Sequence, residues 1–352
     1  MTIASSDRTD AALAALRADV RDATANVEAA VLRPADEAVL DRADRARIAL
    51  RVAVVNEHQG YAEEVADLLD SVAGTGAAGV VRSVERWSEL PEPTQALLAH
   101  CEHVALDPAD VVADDIASLL AQGLTAAQVV AASQVVGYAS YRVRLLRGLE
   151  LLAAGGESAP VEPVTTIEAG ATADGGALPS PAEAFPVLRW IPRVEPVADP
   201  AGSDEKNPAN LALRHDPDVL ERQTALYNAV LMSPGHLSRA DRELVALATS
   251  LVTGCRYAAA RHGRRHAQLA QDRITSVALA EAGPAAVADS RHRAIIDAAG
   301  ALATTPAALT AGHLARLAAV GLGADEVRDL LAVAALFSWT NRLTATLGNT
   351  AR

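Results

Sequence analysis

An internal repeat is the feature of this 352-residue sequence that most constrains its fold. The segment that begins at Leu40, LDRADRARIALRVAVVNEHQGYAEEVADLL, is similar to the segment that begins at Leu237, LSRADRELVALATSLVTGCRYAAARHGRRH, at an offset of 197 residues. Residues 95–149 and 293–347 are similar at an offset of 198 residues and share the pattern GL-x-A-x-x-V. Two matches in the same order at nearly one offset predict a tandem duplication of one domain.

The composition indicates helices. Hydrophobic residues make up 50 % of the chain and aromatic residues only 3 %, and alanine and leucine dominate. Small and unbranched side chains of this kind favour closely packed helices over a β-sandwich. We therefore expect an all-α fold of two tandem helical domains, one over residues 1–152 and one over residues 186–352.

The residues between these domains, 153–185, are rich in Gly, Pro, Ala, Ser and Thr and show no sustained hydrophobic period. Such a composition predicts a flexible linker. The next residues, 186–200, contain Trp190 and several prolines, which exclude a helix. We expect this apolar segment to pack onto a domain, either as a structural strap or as the rim of a pocket.

Charge and cysteine content narrow the range of partners and compartments. The formal net charge of −13 disfavours nucleic acid and anionic membrane surfaces as partners. The two cysteines, Cys101 and Cys255, are too few for a disulfide framework. The N-terminus lacks the apolar core of a signal peptide, and no apolar run approaches membrane length. Together these features predict a soluble, cytoplasmic protein.

The side chains best suited to chemistry concentrate between residues 237 and 272. Ser238 is a good N-cap for a helix that carries Glu243, and a glycine interrupts that helix just before Cys255 opens the next one. A thiol at a helix N-terminus beside an arginine is favoured as a thiolate. His262 lies two turns further along, about 10 Å from Cys255 at roughly 1.5 Å per residue, so a direct hydrogen bond between them is not expected.

Each of these residues also has an ordinary structural role. A lone cysteine is often a small buried hydrophobe, and a first-turn acid often complements the helix dipole. A histidine among arginines often lies on a helix surface, but neighbouring positive charges also favour a neutral ring that can act as a base. His262 and His266 are spaced for a shared metal, yet two arginines lie between them. We expect neither a metal nor a cofactor.

Glu243, Cys255, Ala258 and His262 match the Glu…Cys-x-x-Cys-x-x-x-His pattern of the alkylhydroperoxidase D-like and carboxymuconolactone decarboxylase superfamily at every spacing. The sequence resembles this superfamily over nearly all the chain outside the linker, and most strongly over residues 237–347. The departure is Ala258, which replaces the second cysteine. The resemblance implies that Glu243 and His262 form a proton relay and that Cys255 is the remaining thiol, whereas the thiol that attacks the peroxide is absent.

The repeat predicts that only the second copy carries these groups. At an offset of 197 residues, the positions equivalent to the acid, the thiol, the alanine and the imidazole are Ala46, His58, Tyr61 and Val65. The N-terminal copy therefore keeps the helical frame and is degenerate with respect to the motif. Because members of the superfamily are commonly symmetric oligomers, the resemblance also implies a homo-oligomer.

Three functions are compatible with these residues. The first, which the motif favours, is thiol-dependent reduction of a peroxide, of antioxidant type, in which Cys255 forms a sulfenic acid that an external thiol reduces. The second resembles the decarboxylase branch: His262 acts as acid or base on a small carbonyl or lactone substrate, and nearby arginines hold a carboxylate. The third is a non-catalytic helical scaffold or ligand-binding protein whose site has decayed.

Overall fold

A computed structural model describes residues 11–155, 178–197 and 208–351 of the chain. Helices account for 73 % of the structure, and the described strands form one two-stranded sheet. The expected all-α fold is confirmed. Much of the predicted linker, residues 156–177, lies outside the described residues. Every helix in the described ranges is either too short or too polar to span a lipid bilayer.

The helices before the linker follow one another with short connections. They are α1 (Ala18–Leu32), α2 (Arg42–Val55), α3 (Gln59–Ala73), α4 (Ala77–Arg82), α5 (Glu92–Leu106), α6 (Ala113–Ala121) and α7 (Ala126–Ala153), with a 3₁₀ helix at Val84–Glu89 between α4 and α5.

The next helix, α8 (Pro181–Ala184), lies within the residues predicted as linker, and the other helices follow it. They are α9 (Pro208–Leu213), α10 (Pro217–Tyr227), α11 (Arg239–Val252), α12 (Arg256–Ala270), α13 (Thr275–Ala282), α14 (Ser290–Ala303), α15 (Ala311–Ala319) and α16 (Ala324–Leu347). A π-helical turn spans Asn228–Met232, a 3₁₀ turn spans Pro284–Ala286, and strands β1 (Arg189–Pro192) and β2 (Gly348–Ala351) pair with each other.

The chain forms two compact units. The first comprises Met1–Val143, Trp190–Leu226 and Arg342–Asn349, and the second comprises Arg144–Arg189, Tyr227–Asn341 and Thr350–Arg352. The domain limits of 1–152 and 186–352 stay predictions.

In the first unit, α2 packs against α3 and α5 through fully buried side chains such as Leu50 and Leu98. The segment after the linker packs on this unit, because Trp190 is 3 % exposed and its Nε1 donates to the carbonyl oxygen of Thr344 at 3.0 Å. A side chain at Gly348 would overlap the Trp190 indole, which explains the glycine at that position.

In the second unit, α11 is the central helix and packs against both α12 and α14. Its apolar side chains, Leu244 and Leu247 among them, are fully buried, as are Ile295 on α14 and Leu331 on α16. Because α11 is surrounded by other helices, polar groups on it are removed from water and need partners within the unit.

The two longest helices are divided between the units at equivalent positions. The boundary falls immediately before Arg144 in α7 and immediately before Arg342 in α16, 198 residues apart. Arg144 donates from Nη2 to the carbonyl oxygen of Ala303 at 3.2 Å, within the second unit. Arg342 donates from Nη2 to the carbonyl oxygen of Ala105 at 2.7 Å, within the first. The two donors, Arg144 and Arg342, are 198 residues apart, and so are the two acceptors, Ala105 and Ala303. This equivalence supports the duplication, which stays a prediction.

Candidate active site

The site is built on the turn between α11 and α12. Ser238 caps α11 by accepting from the backbone N–H of Asp241 at 3.0 Å. Helix α11 ends at Val252, and Gly254 follows with φ +66°, a left-handed conformation that glycine adopts without strain. Cys255 is then the N-cap residue of α12. The helix, glycine and helix order predicted from the sequence is the one observed.

The packing of α12 against α11 brings Glu243 and His262 together. His262 Nδ1 lies 2.6 Å from Glu243 Oε2, and the two residues are only 5 % and 1 % exposed. Arg239, one turn before Glu243, donates from Nε to Oε1 at 2.9 Å and also from Nη2 to the same oxygen. The carboxylate is thus held by an imidazole on one oxygen and a guanidinium on the other.

Electrostatics fix the protonation of this pair. Burial alone raises the pKa of Glu243, but its hydrogen bond to His262 and the charge of Arg239 outweigh burial and hold that pKa below its usual range. Burial lowers the pKa of His262, and the carboxylate of Glu243 offsets this only in part. Near neutral pH the pair is therefore an ionised carboxylate and a neutral imidazole.

The ionised carboxylate also selects the imidazole tautomer. A carboxylate can only accept hydrogen bonds, so Nδ1 of His262 must carry the proton that it donates to Glu243. Nε2 then keeps its lone pair. No described residue hydrogen-bonds this nitrogen, and it is not among the fully buried polar atoms that lack a partner. The arrangement presents a neutral imidazole nitrogen that can take up a proton.

Two aromatic rings complete the surroundings of His262. Phe337 on α16 meets the imidazole edge-to-face at 4.5 Å between ring centres, and Tyr227 lies 6.2 Å from Phe337. Sequence reasoning gave no role to Phe337, Tyr227 or Arg239. The spacing of Arg239, four residues before Glu243, could have indicated an ion pair on one helix face.

The thiol is placed differently from the acid and the imidazole. Cys255 is 4 % exposed and lies seven residues before His262 on α12, about 10 Å away along the axis. Ala258, one turn before His262, is buried and occupies the position of the second motif cysteine. Cys101 belongs to the first unit, where burial raises the pKa of its thiol. Neither cysteine forms a disulfide.

His266 does not join His262. Its ring faces His292 edge-to-face at 5.8 Å, and neither of its nitrogens has a hydrogen-bond partner in the described residues. Within the described ranges, no group of three or more His, Cys, Asp or Glu side chains is arranged to hold a metal ion.

The equivalent positions of the first unit carry other contacts. His58 is the N-cap residue of α3, and its Nδ1 accepts from the backbone N–H of Tyr61 at 3.2 Å. Ala46 and Val65, at the positions of the acid and the imidazole, are buried hydrophobic residues. The first unit therefore cannot form an acid and imidazole pair at these positions.

Comparison with known proteins supports the motif. Residues 217–294 match the sequence model of the carboxymuconolactone decarboxylase family. This range is less than a quarter of the chain, and it runs from α10 into α14 and contains Glu243, Cys255 and His262. The match confirms the resemblance to the superfamily, whereas the catalytic roles of individual residues stay predictions. A search of curated proteins gives no significant match.

Proposed function

We propose that this protein is a member of the alkylhydroperoxidase D-like and carboxymuconolactone decarboxylase superfamily and catalyses proton transfer on a small carbonyl or lactone substrate, with His262 as the general base. The observation that carries the proposal is the 2.6 Å hydrogen bond between Nδ1 of His262 and Glu243, whose carboxylate is also bound by Arg239. Pairing of this kind orients the imidazole and stabilises the imidazolium that forms when the base accepts a proton.

The proposed step uses Nε2 of His262. This nitrogen removes a proton from the carbon next to the substrate carbonyl, and the imidazolium then returns the proton to the same or a neighbouring carbon. The carboxylate of Glu243 stabilises the positive ring during the interval, because opposite charges attract strongly in a buried site. The low pKa of His262 keeps the ring in its basic form at neutral pH.

The charges around the pair favour a substrate with a carboxylate. Arg261 on α12 is exposed, and the side chain of Arg239 is 24 % exposed. The charges of both also reach the imidazole, since each lowers the pKa of His262. The exposed guanidinium of Arg261 would bind this carboxylate through charge-assisted hydrogen bonds, the role that the sequence analysis gave to the arginines near His262.

A second candidate is thiol-dependent peroxide reduction at Cys255. The position of this residue at the N-cap of α12 favours it, because the helix dipole stabilises a thiolate there. The thiolate would attack one peroxide oxygen, the O–O bond would break, and an alcohol would leave with a proton supplied through His262. Two thiol groups of an external reductant would then reduce the sulfenic acid to the thiol, giving a disulfide of the reductant and water. Ala258 removes the internal resolving thiol, which makes this the second choice.

Three variants separate the candidates in the full-length protein. Deuterium exchange at the α-carbon of pentane-2,4-dione or γ-butyrolactone reports proton transfer, and cumene hydroperoxide consumption with dithiothreitol reports peroxidase activity. We expect Glu243→Gln and His262→Ala to slow exchange by about 10²-fold or more and Cys255→Ala to leave it unchanged. Peroxide consumption that Cys255→Ala abolishes selects the second candidate. Turnover of neither substrate class selects the non-catalytic scaffold or ligand-binding protein.

A further inference from the structure

Tyr227 is held in place by the helix that carries Glu243. It is the last residue of α10 and precedes the π-helical turn Asn228–Met232. Arg242, the residue before Glu243, is buried and donates from Nη1 to the carbonyl oxygens of Val230 at 3.0 Å and Ser233 at 2.8 Å. A π-helical turn leaves carbonyl groups in positions that a regular helix does not, and such turns are frequent at functional sites. Here the guanidinium fixes the turn to α11.

The ring of Tyr227 is positioned relative to His262 by a shared neighbour. Phe337 contacts the Tyr227 ring at 6.2 Å between centres and the His262 ring at 4.5 Å. Contacts in tilted and edge-to-face geometries are specific in orientation. Phe337 therefore contacts both the phenol ring of Tyr227 and the imidazole of His262.

The hydroxyl of Tyr227 has no partner in the described part of the protein. No described residue hydrogen-bonds it, yet it is not among the fully buried unpaired polar atoms. Burial raises the pKa of the phenol, and the negative charge of Glu243 acts in the same direction. The phenol is therefore protonated at neutral pH and keeps an O–H group that can donate a hydrogen bond.

We infer that Tyr227 is a further catalytic residue, which donates a hydrogen bond to the carbonyl oxygen of the substrate while His262 removes a proton from the adjacent carbon. The inference rests on the proposed function and assigns the substrate class as a small ketone or lactone with an acidic C–H bond. Arg239 is less suited to this role, because its Nε and Nη2 are already bound to Glu243.

The step balances without an added oxidant or reductant. The C–H bond breaks, the proton goes to Nε2 of His262, and the electron pair of that bond forms the C=C bond of an enolate. The carbonyl π electrons move onto the oxygen, where the O–H of Tyr227 stabilises the new charge and keeps its own proton. A donor aimed at an oxygen that gains charge lowers the barrier more than it tightens substrate binding.

The test compares Tyr227→Phe with the wild type and with Tyr257→Phe, a matched variant of the half-buried tyrosine on α12. With pentane-2,4-dione as the probe, deuterium exchange gives kcat and KM, and the ultraviolet absorbance of the saturated complex gives the bound fraction of enolate. We expect Tyr227→Phe to lower kcat about 100-fold with little change in KM, and to deplete the bound enolate, whereas Tyr257→Phe leaves both unchanged. The phenylalanine keeps the contact with Phe337, and a thermal unfolding curve checks that the variant folds.

The outcomes separate this inference from the proposed function. If His262→Ala abolishes exchange and Tyr227→Phe exchanges at the wild-type rate, the role of Tyr227 is contradicted. The proposed function then still stands. A loss in Tyr257→Phe instead of Tyr227→Phe also contradicts it. Absence of exchange in the wild type contradicts the proposed function and this inference together.

Discussion

Arg239 and His262 bind opposite oxygens of one buried carboxylate. Arg239 donates to Oε1 of Glu243, and Nδ1 of His262 donates to Oε2 at 2.6 Å. Arg239 and Glu243 are one turn apart on α11, whereas His262 comes from α12. The guanidinium therefore partly neutralises the charge that the imidazole senses, which gives Arg239 control over the basicity of His262.

Substitution of Arg239 by glutamine is expected to raise the pKa of His262. The charge of Arg239 lowers that pKa, and without it the carboxylate of Glu243 acts on the ring with less compensation. Because the neutral ring is the active form, the acidic limb of the pH dependence of kcat/KM for deuterium exchange should move to higher pH. Arg265→Gln, which changes an exposed arginine on the helix that carries His262, should leave the limb in place. If the acidic limb of Arg239→Gln stays in place or moves to lower pH, Arg239 does not lower the pKa of His262 as described.

The buried ring of His266 should make the protein less stable in mild acid. Burial lowers its pKa to about 4, below the usual value of 6.5, so the unfolded chain binds the proton first as the pH falls. The contribution of the neutral His266 ring to the free energy of unfolding is fully present above pH 6.5 and is lost toward pH 4. The loss between pH 7 and pH 5 is roughly 2 kcal/mol. In urea unfolding, His266→Leu should remove this part of the pH dependence and the exposed variant His236→Gln should not. Equal pH dependence in wild type and His266→Leu is the contrary result.

A methyl group at Gly263 should destabilise the second unit. A Cβ at this position would lie 2.6 Å from Cδ1 of Phe185 and closer still to Cε1, so the ring would have to move. Arg264 anchors the same segment by donating to the carbonyl oxygens of Phe185 and Pro186. We expect Gly263→Ala to lower the free energy of unfolding by about 2 kcal/mol.

The control for this variant is Gly323→Ala. The nearest atom to a Cβ there is 3.8 Å away, so the free energy of unfolding should change by no more than about 0.5 kcal/mol. Adding Phe185→Leu to Gly263→Ala should recover part of the loss, because the smaller side chain gives room. Wild-type stability in Gly263→Ala would show that Phe185 does not pack on α12 as described.

The equivalent arginines of the two long helices should contribute similarly to stability. Arg144 donates to the carbonyl oxygens of Ala303 and Thr304, and Arg342 donates to that of Ala105. Replacing either by methionine keeps the apolar volume but leaves buried carbonyl groups without this donor. Each variant should lose about 2 kcal/mol in urea unfolding. A loss confined to one of them would weaken the proposed duplication.

Much of the architecture was predictable because it depends on local chemistry. Helical periodicity, the Ser238 cap and Gly254 predicted the α11 and α12 pair, and composition predicted the all-α class, which the structure confirms. The spacing of Glu243 and His262 predicted a family resemblance, which the family match confirms over residues 217–294. These signals work from sequence because caps, turns and side-chain periods act over a few residues.

The composition of the site was decided by tertiary packing. Sequence spacing already placed Cys255 two turns from His262, but only the packing of α12 against α11 joined the acid to the imidazole. Nothing local marks Tyr227 or the π-helical turn, because their positions depend on Phe337 and Arg242 from distant parts of the chain. The sequence determined which helices form and which side chains can carry protons. Tertiary structure decided which of them meet, because contacts between helices depend on the packing of whole helix faces and not on spacing along one of them.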